Sequence, residues 1–146
     1  MDDLTGALRR DRGLADLQRE IERARRSDGR LVLAFVDVDG LKTINDTHGH
    51  AAGDQLLRDV VGALRARLRS YDLIVRYGSD EFVCALPGTD ISTAQSRFDE
   101  AERTLNEADP RASVSVGLAE LLNANSLEDL VARADAALYA APRRMK

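Results

Sequence analysis

The chain has 146 residues, a formal net charge of −4 and a single cysteine, which suits one domain spanning residues 1–146 around a single core. With 44% hydrophobic and 32% charged residues it has the composition of a folded globular protein, and no Lys/Arg run forms a nucleic-acid stripe. One cysteine excludes an internal disulfide and fits a reducing, cytoplasmic setting, while no apolar stretch has the length of a membrane span and no signal-peptide pattern opens the chain.

Leu14, Leu17, Ile21 and Ala24 recur at helical spacing in "GLADLQREIERARRSDG", a helix ending at Gly29 whose "RARRSDGR" end carries the cations that a helix dipole favours. "RLVLAFVDVD" is a nearly continuous apolar run and predicts a buried central strand ending in acids. "GLKTIND" predicts a short helix at the strand's end, and the turn "THGHAAG" separates it from the long helix "DQLLRDVVGALRARLR", with Asp54 as N-cap or first-turn acid. "DLIVRY" and "EFVCALP" follow as strands joined through Gly78 and Ser79, which fits a type II′ hairpin turn, and Cys84 reads as core packing. "STAQSRFDEAERTLNEA" is a helix started by Ser92, "ASVSVGLAEL" alternates as a half-buried strand, and "SLEDLVARADAALYAA" is a last helix capped by Ser126 and ended by Pro142. This order predicts an α+β fold of ferredoxin-like type, an antiparallel or mixed sheet flanked by helices.

Asp37 and Asp39 close the central strand. Asp39 has an ordinary explanation as a helix cap, but Asp37 places a charge inside an apolar run, which is costly unless it is paired or binds metal. If "VRYGSDEFV" pairs beside the central strand, Asp80 converges on Asp37. Two carboxylates, a backbone carbonyl and phosphate oxygens suit Mg²⁺. The helix opening at Gly40 and Leu41 offers free N–H groups to phosphate, and Lys42 adds a point charge.

"DVDGLKTINDTHGHAAGD" followed by "RYGSDEF" resembles the GGDEF family of diguanylate cyclases, as do the opening "DDLTGALRR", the strand "ASVSVGLAE" and the helix "RADAALYAA". The resemblance covers nearly the whole chain and implies a nucleotidyl-cyclase-type fold with the signature on a β-hairpin. It implies a transferase that joins two GTP into cyclic di-GMP, releasing two pyrophosphates, with Mg²⁺ or Mn²⁺ held by Asp37, Asp80 and the Val38 carbonyl. Asp80 or Glu81 would accept the proton of the attacking 3′-hydroxyl. Asn45 and Asp54 would read the guanine edge, and Gly40, Leu41 and Lys42 would hold the β- and γ-phosphates, with Ser79 beside the substrate. Because each domain holds one GTP, a second GGDEF domain is the implied partner. "RSYD", Arg69 to Asp72, resembles the family's inhibitory cyclic di-GMP site; Arg and Asp also commonly flank a helix-to-strand junction. The chain opens at the family's usual domain boundary, so it is expected to belong to a longer signalling protein.

The chain departs from the family pattern at several positions. Leu41 replaces a Phe, Arg9 replaces an Asn, and Pro142 stands where the last helix carries a triphosphate-contacting Lys. Lys146, Arg143 or Arg144 would have to compensate for that loss. Ser79 replaces the second glycine of the signature, and a serine held there at positive φ would carry about 1–3 kcal/mol of strain. Ser79 and Pro142 therefore motivate a second expectation, a catalytically impaired module that binds GTP or cyclic di-GMP and signals by dimerising. A mere interaction domain leaves the full set of acids and Lys42 unexplained.

Overall fold

The computed structural model describes residues 1–122 and 125–140. Pro142, Arg143, Arg144 and Lys146, singled out above, lie outside them. Nine elements follow in the expected order: α1 (Arg10–Ser27), β1 (Leu31–Val38), α2 (Leu41–His48), α3 (His50–Arg67), β2 (Leu73–Gly78), β3 (Glu81–Pro87), α4 (Ile91–Ala108), β4 (Val114–Glu120) and α5 (Leu127–Ala140). The four strands form one sheet in the order β2-β3-β1-β4 with every neighbouring pair antiparallel. Two split crossovers build it: α2 and α3 carry the chain past β3, and α4 carries it past β1, which is the ferredoxin-like arrangement.

The period-two alternation of β1 divides the core. Val32, Ala34, Val36 and Val38 face the helices α3 and α4 with Leu56, Val60, Phe98 and Leu105. Leu31, Leu33 and Phe35 face α1 and α5 with Leu17, Ile21, Leu130 and Leu138. Both faces of the sheet are thus covered, which explains why β1 is apolar at every position but Asp37 rather than alternating. Parity also places Asp37 on the α1/α5 side. Its partners across the ladders are Glu81 on β3 and Ser115 on β4, and directly opposed residues share a face.

Several local expectations are corrected. Asp54 is not an N-cap, because α3 starts at His50 with Gly49 before it, leaving Asp54 beyond the first turn. The stretch expected as a turn, "THGHAAG", is almost all helix, broken at Gly49 (φ 88°). At α4 the cap is Asp90, whose carboxylate accepts from the Thr93 N–H at 2.7 Å, not Ser92. The α1 C-terminus is closed by Asp28 in the left-handed region, one residue before the glycine expected there. Ser126 does cap α5, with a reciprocal bond from its own N–H to Asp129.

Candidate active site

The hairpin turn differs from the expected one in a way that matters for the site. Gly78 pairs across the ladder with Glu81, so the two turn residues are Ser79 and Asp80, not Gly78 and Ser79, and the ladder shifts register between Arg76 and Gly78. Among the described residues Asp28 is the one non-glycine at positive φ, and Gly78 is not among the positive-φ glycines. The turn is therefore not type II′, and Ser79 carries no left-handed strain. A Cβ at Gly78 would meet Glu81 Oε1, so any side chain there would displace the Glu81 carboxylate.

At the end of β1 the Val38 N–H donates to the Asp80 carbonyl at 2.8 Å. That bond brings the Asp37–Val38 strand end against the turn bearing Asp80 and Glu81. Burial pushes the Glu81 carboxyl above its ordinary range; the charges of Asp80 and of Asp135 on α5 push it further, and Arg10 opposes them. Asp39 does not cap α2. Its carboxylate accepts from Ser113 Oγ at 2.8 Å and Ser115 Oγ at 2.9 Å, and its N–H donates to the Ser113 carbonyl at 3.0 Å, fastening the strand end to β4.

The chain then turns through Gly40 at φ 71°, a left-handed conformation that glycine adopts at little cost. The N-terminus of α2 has no side-chain cap among the described residues, so its first N–H groups stay available, with Lys42 exposed beside them. Leu41 is half-buried against the core. Asn45 and Asp54 are both half-buried, and Asn45 lies against Gly53, where a Cβ would overlap its Oδ1. Close packing of α2 on α3 therefore places Asn45 beside the residue that precedes Asp54. On the opposite side of α2, Asp39, Thr43, Ile44, Thr47, His48 and Arg111 line a cleft of about 440 Å³.

Oxygen donors are the chemistry that Mg²⁺ or Mn²⁺ requires. Asp37, Asp80 and the Val38 carbonyl are donors of that type, carried on a strand end and a turn that the Val38–Asp80 bond joins. Among the described residues there is no group of three or more His, Cys, Asp or Glu side chains that could hold a metal by themselves, so substrate oxygens would have to complete the shell.

Arg69 and Asp72 lie at the other end of the sheet. The Leu73↔Ala85 and Leu31↔Pro87 pairs mark that end, and Asp37↔Glu81 marks the site's end, a separation of about 20 Å along a strand. Asp72 accepts from the Arg69 N–H at 2.7 Å and from its guanidinium at 3.0 and 3.3 Å. The same guanidinium donates to the Pro87 carbonyl and to Thr89 Oγ1, each at 2.6 Å, and lies 4.5 Å from the centroid of the exposed Tyr71 ring. The Asp72 side chain is fully buried and that of Arg69 a quarter exposed. As it stands, the pair clips the α3–β2 junction to the loop after β3.

Sequence reasoning missed four residues at the site: Asp39's anchoring role, Arg76, Asp2 and Arg10. Arg10 donates to the Tyr77 carbonyl at 3.2 Å and stacks 4.1 Å from that ring's centroid, beside Glu81. A local signal existed for Asp2, since an Asp three residues before a Thr is a common turn pattern. The other three act through contacts distant in sequence. Cys84 is fully buried and its thiol pKa is pushed far up by burial, as core packing requires.

Comparisons with known proteins identify the family and the fold. The family model for "Diguanylate cyclase, GGDEF domain" matches residues 1–146. Diguanylate cyclase DosC of Escherichia coli (strain K12) is 38% identical over 152 residues, covering 99% of this chain and 33% of that protein. Diguanylate cyclase DgcP of Pseudomonas aeruginosa is 36% identical over 149 residues, covering 97% of this chain and 22% of that protein. The chain thus spans a third or less of these curated relatives. The GGDEF domain of DgcB from Caulobacter crescentus, solved in complex with c-di-GMP, superposes with a TM-score of 0.88 at 30% identity, covering 96% of this chain and 88% of that one. Diguanylate cyclase SiaD of Pseudomonas aeruginosa, solved with its activator SiaC, gives a TM-score of 0.89 at 36% identity, covering 95% of this chain and 56% of that one. With the family model matching residues 1–146 and the fold shared with solved GGDEF domains, the chain belongs to the GGDEF-domain family of diguanylate cyclases.

Proposed function

We propose that this domain condenses two GTP molecules into cyclic di-GMP with release of two pyrophosphates. The observation that carries the proposal is the 2.8 Å bond from Val38 to Asp80, which brings the Asp37 strand end and the Asp80 turn together beside the uncapped N-terminus of α2. Asp37, Asp80 and the Val38 carbonyl would hold Mg²⁺ or Mn²⁺, which when bound activates the 3′-hydroxyl and neutralises charge on the leaving pyrophosphate. The α2 N–H groups at Gly40 and Leu41, with Lys42, orient the β- and γ-phosphates. Asp54 accepts from guanine N1–H and N2–H, which adenine lacks, and Asn45 reads the same edge, so GTP is preferred over ATP. Asp80 or Glu81, adjacent acids where the turn enters β3, would take the proton of the attacking hydroxyl.

One domain holds one GTP, so turnover requires two copies face to face. Cyclic di-GMP bound at Arg69 and Asp72 would limit the enzyme, in competition with the bonds that Arg69 makes to Pro87 and Thr89. Among the described residues no helix is long and apolar enough to cross a membrane, and a cytoplasmic setting is part of the proposal. Incubating a dimerised form with GTP and Mg²⁺ tests it: cyclic di-GMP should form, and Asp80→Asn should abolish it. Product from a Ser79→Gly variant but none from the native chain would instead favour an impaired nucleotide-binding module.

A further inference from the structure

Arg76 of the signature makes contacts that the proposed chemistry leaves unused. Its guanidinium donates from Nη1 to both carboxylate oxygens of Asp2 at 3.2 Å, and from Nη2 to the Ser79 carbonyl at 3.0 Å. Ser79 directly precedes Asp80, so the accepting carbonyl belongs to the peptide that enters Asp80. The next carbonyl, that of Asp80 itself, accepts from Val38. The turn's two successive carbonyls are thus both held, one by the end of β1 and the other by an arginine tied to the N-terminal segment.

That segment is itself well anchored. Asp2 Oδ2 accepts from the Thr5 N–H at 3.0 Å and its hydroxyl at 2.7 Å, and the Asp2 N–H donates to the Ala7 carbonyl at 2.6 Å. Leu8 then bridges β2 in parallel: its N–H donates to Ile74 at 2.9 Å, and its carbonyl accepts from the Arg76 N–H at 2.8 Å. Arg76 is therefore bound to residues 2 and 8 through its side chain and its backbone, and the two side chains of the ion pair are 20% and 19% exposed. The two-residue turn contains no glycine, Ser79 is exposed and the register shifts before it, so the Arg76 bond joins the Val38 bond and the Gly78↔Glu81 pair in defining it. An arginine fork spans two acceptors at once, whereas a lysine reaches one.

We infer that Asp2 and Arg76 are positioning residues for Asp80, so that the segment preceding α1 sets the geometry of the signature turn. This rests on the role proposed above for Asp80. A displaced segment releases the Ser79 carbonyl, the turn loosens, and Asp80 moves off the Asp37 strand end. In phosphoryl transfer a misplacement of about 1 Å costs up to about a hundredfold in rate. The pair would thereby make turnover responsive to whatever moves the residues before α1.

The test uses the whole chain with Asp2→Asn, Arg76→Lys and the double variant, with Ile21→Val as a folded, mildly destabilised control in the α1 core. Amide hydrogen exchange of the metal-free chain is expected to speed up by about tenfold at Ser79, Asp80 and Glu81 in both single variants, with the rest of β3 unchanged. Mn²⁺ titration should show affinity weakened by about tenfold. Where product forms, kcat should fall by about tenfold with KM for GTP within about threefold. The double variant should be no worse than the poorer single variant, because both break one linkage. Ile21→Val should leave all of these readings at the native values. Exchange at residues 79–81 within about twofold of the native chain in folded Asp2→Asn overturns the inference. Should Arg76→Lys fail to fold, the isosteric Asp2→Asn decides alone. Absence of cyclic di-GMP from the native chain counts against the cyclase activity and leaves the exchange result to judge the linkage.

Discussion

The side-chain oxygen of Asn45 fills the space that a Cβ on Gly53 would take, with Leu41 Cδ1 3.2 Å from the same point. Gly53 is buried, so the glycine is there for close approach of α2 to α3. Gly53→Ala is expected to push Asn45 and α2 away, costing about 1–3 kcal/mol of stability. GTP affinity should fall by about tenfold through loss of one guanine contact. Calorimetry with GTP checks this; an unchanged affinity would detach Asn45 from guanine recognition.

The two residues after Tyr77 should behave oppositely. Ser79→Gly relieves no strain, because Ser79 is not at positive φ, and it should cost about 0.5–1 kcal/mol through chain entropy. Turnover should stay within about threefold of native. Gly78→Ala drives a Cβ into Glu81 Oε1 and should lower kcat by more than about tenfold. Steady-state kinetics on both variants decides; a large gain from Ser79→Gly would show that serine misplaces Asp80.

Element types and their order were legible because burial leaves a clear trace: β1 is apolar but for Asp37, and α1 and α3 carry apolar residues at helical spacing. Boundaries failed where a cap or turn depended on partners. Asp54 looked like a cap because it follows a glycine, yet the helix runs back to His50. Gly78–Ser79 looked like the hairpin turn, but the Gly78↔Glu81 pairing moves the turn to Ser79–Asp80. At the site, Asp37 was detectable as a charge in an apolar run. The bonds of Asp39 to Ser113 and Ser115, and of Arg76 to Asp2, join residues more than seventy positions apart, so neither periodicity nor local spacing could reveal them.

Glu81 gives a pH prediction. Burial, followed by Asp80 and Asp135, raises its folded-state pKa above the ordinary 4.5. Its contribution to stability is thus fully present below that unfolded value and is lost as pH rises through the folded one. Metal-free Glu81→Gln should therefore melt higher than the native chain at pH 7, with the difference closing below pH 4.5. Thermal melts across pH check the sign. A variant that melts lower at neutral pH would contradict it.

The Arg69 clip separates stability from inhibition. Asp72→Asn weakens a pair whose acid is fully buried and should cost about 2–3 kcal/mol, discounted for the partly exposed arginine. Thr89→Val keeps the pair and removes one competing acceptor, at about 1 kcal/mol. If cyclic di-GMP binds at Arg69, inhibition should tighten in Thr89→Val by about three- to fivefold. Inhibition constants for both variants, read beside their melting curves, test this, and an unchanged constant in Thr89→Val would place the inhibitor elsewhere.

The most direct measurement follows GTP turnover by the native chain with Mg²⁺ over a series of protein concentrations, quantifying cyclic di-GMP and pyrophosphate together. Two pyrophosphates per cyclic di-GMP are expected, with specific activity rising with protein concentration because two domains must meet. GTP bound at micromolar levels with no cyclic di-GMP at any protein concentration would contradict the cyclase assignment.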